Sequence, residues 1–145
     1  MKSCFDAIAS LQTLGDVAQK FLLQFPNGGI FLFPSEMGSG KTTFCRSVIE
    51  RMGYEFDGSP TFSIANQYRS RDRFAVLHVD LYRVKSSDEL IEMGFNDMLT
   101  ESDFIFIEWP EIATKYFHSN YYVMTISNLD DENRRYECLA FDTTQ

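Results

Sequence analysis

Four consecutive apolar residues, Ile30-Phe31-Leu32-Phe33, run almost directly into a glycine-containing loop, after which Phe44, Val48 and Met52 recur at helical spacing up to Gly53. A short, unbroken apolar run suits a strand covered on both faces, the condition of a parallel strand inside an α/β sheet. A strand covered twice commits the chain to layers on either side of a sheet. The loop that leaves such a strand lies at the sheet edge where α/β folds collect ligands. A second run of the same kind, Phe104-Ile105-Phe106-Ile107, ends at Glu108.

The rest of the pattern fits around these two strands. Leu14, Val17, Ala18, Phe21, Leu22 and Phe25 mark one buried helical stripe, and Thr13 with Asp16 has the spacing of a capping box. Residues 61–68 and 74–80 are rich in β-formers, so the polar stretch 69–73 between them predicts an antiparallel hairpin. A helix is expected from Ser86-Ser87-Asp88-Glu89 to Gly94, and two more strands at 121–127 and 136–141 around the polar turn 130–135. The 145 residues show no repeat and no linker, and a single domain, 1–145, is expected. No apolar run approaches the ~20 residues of a membrane span, and the opening decapeptide lacks the pattern of a secretory leader, which predicts a cytoplasmic protein. Cys4, Cys45 and Cys138 form no Cys-x-x-Cys pair and read as small thiols, not as a disulfide framework or zinc site. Thirteen Lys and Arg against 21 Asp and Glu give a formal charge of −8, which argues against broad binding to nucleic-acid backbone. Any contact with RNA is expected to run through a partner.

The chemistry begins at Ser35-Glu36-Met37-Gly38-Ser39-Gly40-Lys41-Thr42-Thr43. A loop that binds phosphate needs glycines so that successive backbone N–H groups can face the anion, and it opens a helix whose N-terminus favours negative charge. Gly38 and Gly40 meet that need, with Met37, Ser39, Thr42 and Thr43 supplying further donors. Lys41 would reach the phosphates as a point charge, and the Thr42 hydroxyl would be a ligand for Mg²⁺. Ser35 stands where the Gly-x-x-x-x-Gly-Lys-Thr pattern has its first glycine. Nucleotide chemistry with Mg²⁺ also needs a carboxylate on a neighbouring strand end. Asp80, which closes Phe74-Ala75-Val76-Leu77-His78-Val79, and Glu108 are the two candidates.

Four further segments follow the loop in order: Ser59-Pro60-Thr61-Phe62, His78-Val79-Asp80-Leu81-Tyr82-Arg83, Glu89-Leu90 with Met93-Gly94, and Ile107-Glu108-Trp109-Pro110-Glu111. Together they resemble the TsaE family of ATPases in bacterial tRNA threonylcarbamoyladenosine biosynthesis, from about Leu14 to Glu111. The resemblance implies a P-loop NTPase-like, three-layer α/β sandwich with a mixed, mostly parallel central sheet and a hairpin. It implies Mg²⁺-dependent ATP hydrolysis, slow alone and stimulated by the TsaB and TsaD partner proteins, with tRNA touched only indirectly. Carried onto this chain, Lys41 and Thr42 bind phosphate and Mg²⁺, and Glu108 joins the metal. Asp80 orients the attacking water, and Thr61 senses the terminal phosphate. Tyr82, Arg83 and Trp109 become candidates for partner contact or for a switch.

Plainer readings stand beside these. Thr61 can simply turn the chain after Pro60, Trp109 can be a packing residue, and His78 reads as a structural histidine. Arg69, Arg71 and Arg73 read as a solvated turn or a docking point. A nucleotide-dependent scaffold without turnover and a small-molecule P-loop kinase remain alternative functions, the latter with Arg134-Arg135 as its only arginine pair near the tail. A guanine-nucleotide switch is excluded by the lack of an Asn-Lys-x-Asp segment.

Overall fold

The computed structural model describes residues 2–34, 40–58, 64–117 and 120–141. Chain order is β1 (Lys2–Ala9), α1 (Leu14–Gln24), β2 (Gly29–Phe33), α2 (Lys41–Arg51), β3 (Ala65–Ser70), β4 (Arg73–Asp80), α3 (Ser87–Glu92), α4 (Phe95–Thr100), β5 (Phe104–Glu108), a 3₁₀ segment (Pro110–Tyr116), β6 (Tyr121–Asn128) and β7 (Arg134–Phe141). The strands among the described residues form one seven-stranded sheet in the order β1-β7-β6-β2-β5-β4-β3. β6, β2, β5 and β4 run parallel at its centre, while β7, β1 and β3 are antiparallel to their neighbours toward the two edges. Among the described residues no helix is long and apolar enough to cross a membrane.

The two apolar runs form the central strands because both of their faces are covered. Phe31, Phe33, Phe104 and Phe106 point into a core shared with α1, α2 and β1. Leu32, Ile105 and Ile107 point the other way, into a core shared with α3, α4 and the 3₁₀ segment. The first core is aromatic, and Phe21 is its hub: fully buried, with ring centroids of Phe5, Phe25, Phe31, Phe44 and Phe106 at 5.7, 4.9, 4.8, 5.3 and 6.2 Å. Gly28 precedes β2 at a close approach. At φ +82° a Cβ there would lie 2.2 Å from the Asp103 carbonyl oxygen, so only glycine fits.

Several elements differ from expectation. β1 was expected only as a non-leader segment. It forms because Phe5, Ala7 and Ala9 alternate toward the core while β7 offers an unpaired edge. The hairpin turn is tighter than 69–73, since pairing continues from Ser70 to Arg73 and leaves Arg71 and Asp72 at the tip. The Thr13–Asp16 box does not close. Thr13 has φ −103° and ψ 1°, outside the extended region a capping side chain needs, and its Oγ1 instead accepts the Ser10 N–H at 3.0 Å. Ser86 and Glu89 also have capping-box spacing, and Ser86 is extended at φ −143° and ψ 155°, but Glu89 accepts the N–H of Lys85 at 3.1 Å, one residue ahead of Ser86. α4 and the 3₁₀ segment follow Gly94 and Trp109, both in the left-handed region.

Candidate functional site

Because β2, β5 and β4 are parallel and adjacent, their C-terminal ends fall on one edge. The register sets Phe33, Glu108 and Asp80 side by side. Partners in register share a face, and alternation puts Glu108 and Asp80 on the face of Phe104, Phe106 and Val76, under α2. Two carboxylates as direct cross-strand neighbours repel each other, an arrangement that a cation relieves.

α2 supplies the opposite chemistry. Its N-cap is Gly40 at φ +93°, and the helix carries no acidic residue of its own in its first turn, where the positive end of its dipole lies. Thr42 Oγ1 lies 2.9 and 3.1 Å from the two Glu108 oxygens and donates to them. His78, fully buried on β4, donates its Nε2–H to Glu108 Oε2 at 2.6 Å. Glu108 is itself only 2% exposed, so these two donors fix the carboxylate against rotation. Lys41 is 7% exposed, and its Nζ has no hydrogen-bond acceptor among the described residues. It rests instead 4.1 Å from the centre of the Trp109 ring.

The backbone is strained on both sides of this row. Ile64 (φ 64°) and Trp109 (φ 57°) are the non-glycine residues in the left-handed region among those described. The Ile64 carbonyl accepts the Asp80 N–H at 2.9 Å, and the Trp109 N–H bonds the Phe33 carbonyl at 3.3 Å. A β-branched residue in this conformation costs of order 1–3 kcal/mol, and such strain clusters at functional sites. Asp80 is half-buried and accepts the Tyr82 N–H on Oδ1 at 3.0 Å, which orients its carboxylate. The Tyr82 ring, 59% exposed, meets Trp109 at 4.8 Å. Arg83 is exposed beside it.

The structure therefore gathers Gly40, Lys41, Thr42, Thr43, Asp80, Glu108 and Trp109 at one edge. Met37, Gly38, Ser39 and Thr61 lie outside the described residues. The basic cluster at the hairpin is largely spent within the chain, with Arg69 paired to Glu101 and Arg73 over the Tyr54 ring at 5.6 Å. Arg135 is held by Asp6. Arg134, named from the sequence only in the arginine pair of the kinase alternative, reaches the start of α2: its Nη1 lies 2.3 Å from where a Cβ on Gly40 would be. It also lines a cleft of about 380 Å³ between residues 9–12 and Asp131, Glu132 and Tyr136. The cleft adjoins the start of α2 through Arg134. No spacing rule could have found it, because its walls lie about 120 residues apart in sequence.

Oxygen donors from Thr42 and Glu108, with Asp80 in register, suit a hard divalent cation such as Mg²⁺. The Lys41 ammonium, without a hydrogen-bond acceptor among the described residues, suits an anion at the head of α2. A family model described as "Threonylcarbamoyl adenosine biosynthesis protein TsaE" matches residues 8–136. A tRNA threonylcarbamoyladenosine biosynthesis protein TsaE from Borreliella burgdorferi is 39% identical over 97 residues, covering 66% of this chain and 70% of that protein. One from Rickettsia bellii is 33% identical over 119 residues, covering 81% of each. The crystal structure of Bacillus subtilis YdiB superposes with a TM-score of 0.71 at 18% identity, covering 94% of this chain and 84% of that one.

Proposed function

The chain belongs to the TsaE family, and from that premise we propose that it is the ATP-binding and ATP-hydrolysing member of the tRNA threonylcarbamoyladenosine machinery, dependent on Mg²⁺ and working with TsaB and TsaD. The family description supports the pathway. The observation that carries the nucleotide reading is the Lys41 ammonium, buried at the head of α2 with no acceptor among the described residues. A cation so placed is satisfied when phosphate oxygens arrive, and each charge-assisted bond formed there is stronger than its counterpart in water.

The roles then follow from position. Lys41 binds the phosphate oxygens, and the α2 N-terminus adds backbone donors and dipole. Thr42 and Glu108 are the residues that would hold Mg²⁺, which when bound neutralises charge on the transferred phosphoryl group. His78 keeps the Glu108 carboxylate in one orientation. Asp80, with Oδ1 taken by the Tyr82 N–H, keeps Oδ2 to accept a proton from the attacking water. The cleft beside Arg134 suits the base and ribose, since Asp131 and Glu132 can accept from neutral N–H and O–H groups but repel phosphate. Lys41, Trp109 and exposed Tyr82 form a run of contacts from phosphate site to surface. That run supports a partner contact sensitive to nucleotide at Tyr82 and Arg83.

The test is phosphate release from Mg²⁺-ATP by the protein alone and with TsaB and TsaD, with Lys41→Ala as the blank. Partners are expected to raise a slow rate well above the blank, and Asp80→Ala and Glu108→Ala each to abolish turnover while retaining some ADP binding. Full activity in either carboxylate variant refutes that residue's role. Binding of ATP with no release under any condition replaces hydrolysis by a nucleotide-dependent scaffold.

A further inference from the structure

Behind the Thr42–Glu108 contact lies a polar cluster that the proposed function does not use in full. Cys45 sits one helical turn after Lys41 on α2 and is completely buried. Its Sγ, a ring nitrogen of His78 and a carboxylate oxygen of Glu108 all lie within 4.8 Å of one another. His78 Nδ1 is buried and has no hydrogen-bond partner among the described residues. A sulfur, an imidazole and a carboxylate drawn from α2, β4 and β5 are the donor types of a Zn²⁺-class ion, in contrast to the all-oxygen set that suits Mg²⁺.

We infer that Cys45, His78 and Glu108 form a binding site for a soft or borderline divalent cation of the Zn²⁺ class, distinct from the oxygen-donor position but sharing Glu108 with it. Metal–ligand bonds of about 2.0–2.3 Å place tetrahedral ligand atoms roughly 3.5 Å apart, so side-chain rotation of about 1 Å closes the set. Thr42 Oγ1, already within hydrogen-bond distance of Glu108, stands beside the fourth position. On binding, the His78 proton moves from Nε2 to Nδ1, which has no partner among the described residues, and frees Nε2 for the metal, while the Cys45 thiol loses its proton to solvent and the thiolate bonds the metal, so one proton leaves for each ion bound. The consequence for activity rests on the proposed function: an ion held here draws Glu108 away from Mg²⁺, and Zn²⁺ acts as an inhibitor.

The site is tested without nucleotide, so its failure is separate from failure of the ATPase reading. Metal-free protein in a non-thiol reductant is titrated with Co²⁺. One equivalent is expected to produce a thiolate-to-cobalt charge-transfer band with the visible bands of a four-coordinate ion, displaced by Zn²⁺. Cys45→Ser, or Cys45→Ala if serine disturbs the fold by circular dichroism, is expected to abolish the charge-transfer band and weaken Zn²⁺ binding at least about 10-fold. A Cys4→Ser/Cys138→Ser double variant is expected to keep both. Absence of the band in the parent protein overturns the inference. So does a band that survives loss of Cys45 or disappears with Cys4 and Cys138.

Discussion

Replacing Lys41 by methionine is expected to stabilise the nucleotide-free protein while removing its response to nucleotide. Lys41 is 7% exposed, and its buried ammonium has no acceptor among the described residues. An unsatisfied buried donor costs about 1–3 kcal/mol, more when charged. The Trp109 face at 4.1 Å returns about 0.5–2 kcal/mol of that. Methionine keeps an unbranched stem of similar volume and drops the charge, so the net gain is about 1 kcal/mol. For a domain of this size each kcal/mol moves the melting midpoint by about 2–4 °C. Scanning calorimetry without nucleotide should therefore find Lys41→Met melting about 2–4 °C above the parent. With Mg²⁺-ADP at 100 times its Kd the parent should gain about 2.7 kcal/mol, or roughly 5–11 °C, and the variant none. The order of the two melting curves then reverses. A variant that melts below the parent without nucleotide would refute the reasoning, because it would mean that the ammonium is already well satisfied and is not awaiting an anion.

Two further outcomes concern the frame that holds the site. Phe21→Ala empties the hub of five aromatic contacts and should cost about 4–5 kcal/mol, lowering the calorimetric midpoint by roughly 8–20 °C; a loss under about 2 kcal/mol would mean the surrounding rings close the cavity. Asp6 accepts two bonds from Arg135, at 2.9 and 2.6 Å, and these hold its carboxyl below the usual 3.8. A group lowered on folding contributes stability above its unfolded value, and that contribution is lost as pH falls through the folded one. The melting midpoint of the parent should thus fall more steeply below about pH 4 than that of Asp6→Asn, and parallel curves would show that the pair does not stabilise the β1–β7 edge.

What the sequence made legible was whatever a local period could carry. The runs at 30–33 and 104–107 and the stripe from Leu14 to Phe25 read correctly, because burial on both faces or on one stripe leaves a pattern within a few residues. β1 escaped because two of its four core-packed residues are alanines, poor markers of a strand, a bulge at Cys4 breaks the alternation, and exposed Ile8 falls out of phase with the alanines. The Thr13–Asp16 box had the right spacing but not the backbone geometry, which spacing does not encode. At the candidate site, the placement of Lys41 and Thr42 at a helix start and of Glu108 at a strand end was readable from the local pattern. The bond from His78 to Glu108 spans 30 residues and depends on β4 and β5 being neighbours, a fact about sheet order. Arg134 beside Gly40 and Cys45 beside His78 likewise exist only once distant strands are placed, which is why one read as a tail arginine and the other as an incidental thiol.

The pairing of β1 with β7 joins the first described strand to the last, with Cys4 donating to the Cys138 carbonyl across 134 positions. On a ribosome, therefore, β1 emerges long before its partner, and Phe5 has only α1 to lean on, its ring edge-on to Phe21. Helix α2 and strands β2, β4 and β5, which carry the carboxylate row, can assemble while β7 is still unmade. Both walls of the cleft at Arg134 depend on that final strand. A nascent chain halted before residue 134 would thus hold Glu108 and Asp80 in register while lacking the cleft at Arg134, so the carboxylate row and the cleft form at separate stages of synthesis.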